Sequence, residues 1–524
     1  MHHPTGPFTI PAINNYVPEK IKPWIFIFFL VIIQFSGGGV YLAALNETVG
    51  DRALMLEDVL MAGFSSMAGM ALVFTIMLRL KMRFISKYAL LICCSALILC
   101  NIICLTTDNL FILIAACFVA GMFRMWATFE CNSTIQLWIT PTRDMPVFFS
   151  YVYLLVNGVI SLGTAGGMYV SLLTNWQFVN WIVIGALLFM MLLVMLLFND
   201  KRFMPKFPLF GIDWLGALMW GMILLTVNFI CIYGEHYDWW YSEEIRTASI
   251  LLIVLLGLNL YRASFIRHPF IALATFRYKV VFHSLILYTV IDFFIAPSHI
   301  LEHIYFEELL QYDAEHMIWL NVVSWFGVAA GACFVYRFFA VKKHSFKTTF
   351  MIGFSAILSY EVIMYFLIDM NTVKELFIVP LFVRNFGYVV IAVVLLSDLM
   401  KVPFHHFFQA LSVQSFMSAA CGGSIGMAVL RCILNIISAK NFQQITATMD
   451  SVNTRLHGIS HRELEHRIEA QTLLVSFKEI YGYLVIGGII MGILLMIYKY
   501  SYFPRNLVWP TMKTINKMLK KEIS

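Results

Sequence analysis

Charge is what this sequence has least of. Asp, Glu, Lys and Arg together make up 13% of its 524 residues, roughly half the share of a typical soluble domain, whereas 60% are hydrophobic and the mean hydropathy is +0.80. A chain so composed cannot cover itself with a water-binding surface, which excludes an ordinary soluble protein. The polar loops lack cysteine. Cys93, Cys94, Cys100, Cys104, Cys117, Cys131, Cys231, Cys333, Cys421 and Cys432 all fall within or at the edge of apolar runs. Neither a disulfide framework nor a Cys-based metal site is indicated, and small packing residues fit the pattern. Also missing are a Walker sequence, a Gly-x-Gly-x-x-Gly after a strand and any Ser/His/Asp grouping. His405-His406 is a single pair at a boundary, where membrane oxidases need several His clusters. No enzyme, cofactor, metal or nucleic-acid partner is therefore expected. A cleavable signal peptide is not evident either, because Met1 to Lys22 is polar and the first apolar run is long enough to span.

What is present is a series of fourteen apolar runs, from Trp24–Leu45 to Ile480–Tyr498, most near the roughly 20 residues that a bilayer core demands. With the N-terminus inside, alternate connections collect the basic residues: Arg79, Lys81, Arg83 and Lys87, then Lys201, Arg202 and Lys206, then Lys342, Lys343 and Lys347. The short opposite loops hold only Arg52, Arg246 and Lys374 among many acids. This asymmetry follows the positive-inside rule. A multi-pass plasma (inner) membrane protein with both termini cytoplasmic and an even number of spans is expected.

The stretch from Ile212 to Phe270 organises the rest. Asp213-Trp214-Leu215-Gly216 opens one apolar run, an acidic turn with Asp238 and Trp239 precedes Ile245, and a second run leads to His268-Pro269-Phe270-Ile271-Ala272-Leu273-Ala274-Thr275-Phe276. Six further runs lie on each side. This six, two, six order and these motifs resemble the fourteen-helix drug:proton antiporter branch of the major facilitator superfamily, the EmrB/QacA-type exporters. The resemblance implies an all-α membrane protein with a six-helix bundle over 1–199, an inserted helix pair over 200–275, a second bundle over 276–500 that includes an external loop 438–479, and a basic cytoplasmic tail over 501–524. It also implies an efflux antiporter coupled to protons. For a cell with two membranes, it implies a periplasmic adaptor and an outer-membrane channel as partners.

Several residues carry chemistry or motion in this reading. Gly163, Gly166 and Gly167 partly match the family's antiporter motif, and Gly423-Ser424-Ile425-Gly426 matches its Gly-Ser-Ile-Gly helix; small residues of this kind permit close packing and bending. Ionisable groups in mid-membrane are functional candidates because burying them without a partner is costly. Asp292 is the first choice for proton coupling, with Glu130 and Glu361 as further candidates; Glu361 sits on a peripheral helix, where structural pairing is the competing role. Arg124, Arg384, Asn385 and Gln34 are the substrate-cavity candidates. Arg124 and Arg384 either face each other across the cavity, favouring amphipathic organic anions, or lie locked in local pairs. Arg79 to Lys87 reads as plain cytoplasmic anchoring charge or as a gating loop. Gly37-Gly38-Gly39 marks close helix approach or an unwound turn. In the last connection, Ser460-His461-Arg462-Glu463 forms a capping box ahead of an amphipathic helix, which either caps the bundle or docks a partner. Lys513 to Lys521 hold lipid headgroups.

The function expected is proton-coupled export of amphipathic small molecules by alternating access. Its alternatives are an exporter of organic anions or lipid-like metabolites of narrow specificity, and a transport-inactive scaffold or sensor.

Overall fold

The computed structural model describes residues 10–36, 45–52, 54–202, 206, 209, 211–447 and 460–498. Fourteen long helices follow one another: α1 (Lys22–Phe35), α2 (Leu56–Val73), α3 (Ser86–Thr106), α4 (Leu110–Ile139), α5 (Met145–Leu173), α6 (Trp176–Leu197), α7 (Trp214–Tyr233), α8 (Glu243–Phe265), α9 (Lys279–Leu309), α10 (Ala314–Val341), α11 (Phe346–Leu367), α12 (Lys374–Lys401), α13 (Phe404–Thr446) and α14 (His461–Ile497). Among the described residues, thirteen are long and apolar enough to cross a membrane, and α1 is a shorter apolar helix. A multi-pass membrane protein is the only setting that accommodates them, because in lipid every backbone group must be satisfied within its own segment.

The helix starts obey local chemistry. Asn109 accepts from the Phe111 and Ile112 amides, Ser242 from Ile245, Ser345 from Thr348 and Ser460 from Glu463. Each supplies an acceptor to an amide that the first turn leaves without a helical partner. The start of α7 is the most heavily built. Asp213 accepts from the Gly216 amide at 2.9 Å, the Phe270 amide at 3.2 Å and the Arg262 guanidinium at 2.6 and 2.9 Å. Burial alone would raise this carboxyl, but Arg262 and the two amides outweigh it and hold the group below the ordinary carboxylate range. Its stabilisation is therefore complete above the usual Asp value of about 3.9 and is lost as pH falls through the lower folded-state value. Asp213→Ala is expected to remove it at every pH, the cap alone contributing about 1 kcal/mol. An unchanged thermal midpoint of the purified variant at pH 7 would show that the Asp213 node holds nothing.

The helices group as six, two and six. Within the first group α2 crosses α4, and α3 packs on α4 and α6; within the last, α12 packs against α10 and α11, and α14 against α11 and α13. The groups meet where α5 lies along α10 and where α2 meets α13. The inserted helices differ from each other. α7 touches both α2 and α13, so it straddles the seam between the groups, whereas α8 buries almost none of its surface.

The amphipathic helix expected after the Ser460 cap forms and runs unbroken from His461 through the last span as α14, while α13 runs on to Thr446. Helical spacing at Leu464, Ile468 and Thr472 continues into the span with no Gly or Pro to stop it, and Glu463 pairs with Arg467 at 2.7 Å. The described part of the first span, α1, ends at Phe35; the rest of the expected run, with Gly37-Gly38-Gly39, lies outside the described residues, as does Lys513 to Lys521. The Arg79 to Lys87 stretch is not a plain loop. Met77–Arg83 is helical, and it buries Lys81.

Candidate functional site

The two ends of the bundle differ in charge. One end carries Lys87, Lys201, Lys343 and Lys347, here termed the basic end; the other carries Glu57, Asp58, Glu235 and Glu243, the acidic end. The N-terminal segment belongs to the basic end, where the Asn14 amide bonds the Leu197 carbonyl at the close of α6.

Between the six-helix groups, toward the basic end, lies a cavity of about 340 Å³. It falls within the size range of small-molecule sites. Its walls come from α1, α2 with the Met77–Arg83 helix, α4, α5, α12 and α13. The surface is mostly apolar, with many Phe and Met side chains, and amides from Gln34, Asn132, Gln136, Asn157 and Gln414 are set among them. Lys81 is the one charged side chain on the wall among the described residues.

The acidic end is tied shut across the seam. Arg431 of α13 pairs with Glu57 of α2 at 3.3 Å and with Glu235 in the turn after α7, and Asn435 also donates to Glu235. Tyr233 of α7 donates to Asp58 at 2.5 Å, and Ser424 of α13 donates to Asn228 of α7 at 2.7 Å. The inserted helix α7 thus fastens both groups. At the basic end the ties across the seam include Thr75 with Ser412 at 2.7 Å and Lys343 with Asp144.

The residues expected at the site separate into layers. Gln34 lines the cavity, donating to Thr128 at 2.6 Å and accepting from Arg124 at 2.9 Å. Arg124 stands behind it, buried and bonded to Gln34. Arg384 lies within its own half, paired with Glu302 at 2.5 Å and set over the Tyr360 ring at 5.5 Å. The facing arrangement of Arg124 and Arg384 is not formed in this state, since each guanidinium finds acceptors in its own half. Asn385 donates to the Leu381 carbonyl of its own helix and turns toward Gly327 of α10 rather than the cavity. Glu130 pairs with Lys81 at 2.5 Å. Glu361 is wholly buried among Glu302, Tyr360 and Arg384, and neither of its carboxylate oxygens has a hydrogen-bond partner among the described residues.

Asp292 occupies a pocket made by a missing side chain. A Cβ on Gly422 would lie 2.1 Å from its Oδ2, and that oxygen has no hydrogen-bond partner among the described residues. Gly422 follows a π-helical turn, Phe416–Cys421, that displaces α13 at this level. Tyr153 and Tyr388 line the cavity and lie within electrostatic reach of Asp292, and Tyr288, which donates to the Ala392 carbonyl at 3.3 Å, stands in the same group. Asp292 is thus one layer behind the wall.

The glycines mark close approaches. Gly163 and Gly166 receive Phe35 of α1, with Gly167 buried beside them; Gly423 receives Phe64 of α2, and Gly426 receives Ala296 of α9.

Lys81, Gly422 and the tyrosines were not singled out from sequence. For Lys81 a signal existed: at 100° per residue, Arg79 and Arg83 share one face of the helix and Lys81 falls on the opposite one.

Comparison with solved structures fits this architecture. The peptide transporter POT superposes with a TM-score of 0.58 at 13% identity, over 90% of this chain and 94% of that one. PepTSo2 superposes at 0.53 and 12%, over 96% and 99%. The nucleoside transporter NupG gives 0.51 and 12%, over 91% and 100%. The chain has the major facilitator fold. No family model and no curated protein matches the sequence.

Proposed function

We propose that this protein is a proton-coupled secondary transporter that moves amphipathic small molecules by alternating access. The observation that carries the reading is the central cavity, lined from both six-helix groups and cut off from the acidic end by the Glu57, Arg431 and Glu235 ties. By the positive-inside rule the basic end is cytoplasmic, which puts both termini in the cytoplasm and the cavity on the cytoplasmic side of those ties. Export then follows from the sequence resemblance to drug:proton antiporters, as do the periplasmic adaptor and outer-membrane channel. The folds it shares belong to transporters of peptides and nucleosides.

Asp292 is the group best placed to couple protons. A carboxylate oxygen buried without a hydrogen-bond partner, as Asp292 Oδ2 is among the described residues, makes the ionised form costly, and binding a proton relieves that cost. Opening of the tyrosine layer to water would let the proton leave. Rocking about Gly422 changes the space around Oδ2 directly, which is how a helix movement reaches the proton.

Asp292→Asn copies the neutral form. In proteoliposomes it is expected to leave exchange of a transported compound nearly intact and to cut pH-gradient-driven accumulation at least about tenfold, the loss of a proton-coupling group in the membrane. Accumulation equal to the parent protein would remove Asp292 from the mechanism. Absence of gradient-driven flux in the parent, for every compound it binds, would favour the scaffold reading.

A further inference from the structure

We infer that the cavity is built for amphiphiles with an anionic polar end, and that Lys81 reads that end. The inference rests on the transport reading of the same cavity and adds the class of molecule it takes.

The argument is the orientation of one buried ion pair. Lys81 lies on the cavity wall, whereas its partner Glu130 stands behind it, almost fully buried and off the wall. Lys81 Nζ donates to Glu130 Oε1 at 2.5 Å and to Thr134 Oγ1 at 2.7 Å. The second carboxylate oxygen, Glu130 Oε2, has no hydrogen-bond partner among the described residues. With Lys81 on the lining and Glu130 off it, the cavity lies on the positive side of this pair. In a low-dielectric wall such a field is weakly screened, and no acidic side chain on the lining opposes it among the described residues.

The other groups near this pair leave its sign unchanged. Cys93 from α3 and Cys131 beside Glu130 are the further titratable groups within its reach, and thiols are ordinarily neutral at pH 7. Asn132 and Gln136 sit on the same stretch of wall and can complete the hydrogen bonds of a carboxylate. Phe74, Phe129 and Phe148 offer an apolar bed for the rest of the molecule. A cationic amphiphile would meet an ammonium at close range, and like charges at a specific site are disfavoured.

The test uses three matched probes, 5-phenylpentanoate, its primary amide and 5-phenylpentylamine, with binding measured to the full-length protein in lipid nanodiscs against empty nanodiscs. The carboxylate is expected to bind tightest and the amine weakest. Lys81→Gln should weaken carboxylate binding about 10- to 100-fold, the range for a hydrogen bond to a charged group, barely move the amide, and improve the amine because Glu130 is left without its partner. Glu130→Gln keeps Lys81 on the wall without its resident counter-ion and should tighten the carboxylate, and Lys81→Arg should retain it. Both variants guard against a simple folding defect in Lys81→Gln. Equal binding of amine and carboxylate, no carboxylate binding, or a carboxylate affinity untouched by Lys81→Gln in folded protein would overturn the inference. Binding is read without a gradient, so the two readings fail separately. Carboxylate binding with no flux of any probe would sink transport alone, and gradient-driven flux of the amine or amide without carboxylate binding would sink the inference alone.

Discussion

Arg384→Leu is expected to cost about 3–5 kcal/mol of stability, the range for removing one member of a buried ion pair, and to shift the thermal midpoint of the purified protein downward accordingly. Arg384 Nη1 lies 2.5 Å from Glu302, whose other oxygen accepts from Tyr360 at 2.7 Å, and the Tyr360 hydroxyl lies 3.2 Å from that of Tyr481. Glu361 adds a second buried carboxyl to the same cluster. Without the guanidinium, Glu302 is a buried anion beside another acid. The double variant Arg384→Leu with Glu302→Leu removes both charges together and is expected to recover most of the loss, because an apolar pair of similar volume is close to neutral in such a site. Transport by that double variant is the sharper reading. If the cluster is structural, as its position away from the cavity indicates, transport survives; a stable double variant without transport would place Arg384 on the substrate path. Equal midpoints for the single and double variants would show that the pair is not what holds this region.

The six, two, six order was legible because it is written in long apolar runs, alternating Lys and Arg and caps such as Asp213 and Ser242, all of which act locally. The candidate site was legible only in part. Arg124, Asp292, Arg384 and Glu361 stood out because charge in mid-membrane is rare, and each is indeed buried or nearly so. Rarity, however, says that a charge needs a partner and not where the partner is. Arg384 found Glu302 and Arg124 found Gln34, contacts set by how helices cross. Lys81 escaped notice for the opposite reason. It sits among other basic residues, where a charge looks ordinary, and only its angular position separates it from Arg79 and Arg83. Gly422 directly precedes the Gly423-Ser424-Ile425-Gly426 run and looks like part of it, yet its role comes from a carboxylate on another helix, 130 positions away in the chain.

Gly121→Val is expected to leave no folded protein in the membrane, and Gly69→Val to do the same. α2 and α4 cross so closely that a Cβ on Gly121 would lie 1.9 Å from the Ser66 carbonyl oxygen, and one on Gly69 would lie 2.0 Å from that of Phe118. Each glycine faces the backbone three residues before the other, so the two helices contact backbone to backbone, and Ser65 Oγ reaches across to the Ile114 carbonyl at 3.1 Å. Ordinary overpacking costs about 1–3 kcal/mol because side chains can shift; here the obstacle is backbone, and the helices themselves must part. Gly185 and Gly257 are the controls, since a Cβ there would meet nothing within 4 Å, and valine at either should be tolerated because it is no worse a helix former than the glycine it replaces. Expression and size-exclusion behaviour in mild detergent would read the difference, and a monodisperse Gly121→Val protein would refute the close crossing. The same contact has a functional side. Lys81 follows α2 and Glu130 belongs to α4, so the crossing that Gly69 and Gly121 permit also sets the 2.5 Å separation of that pair. Gly121→Ala, if it folds at all, should therefore spread the ion pair and weaken anion selectivity before it weakens binding of neutral amphiphiles.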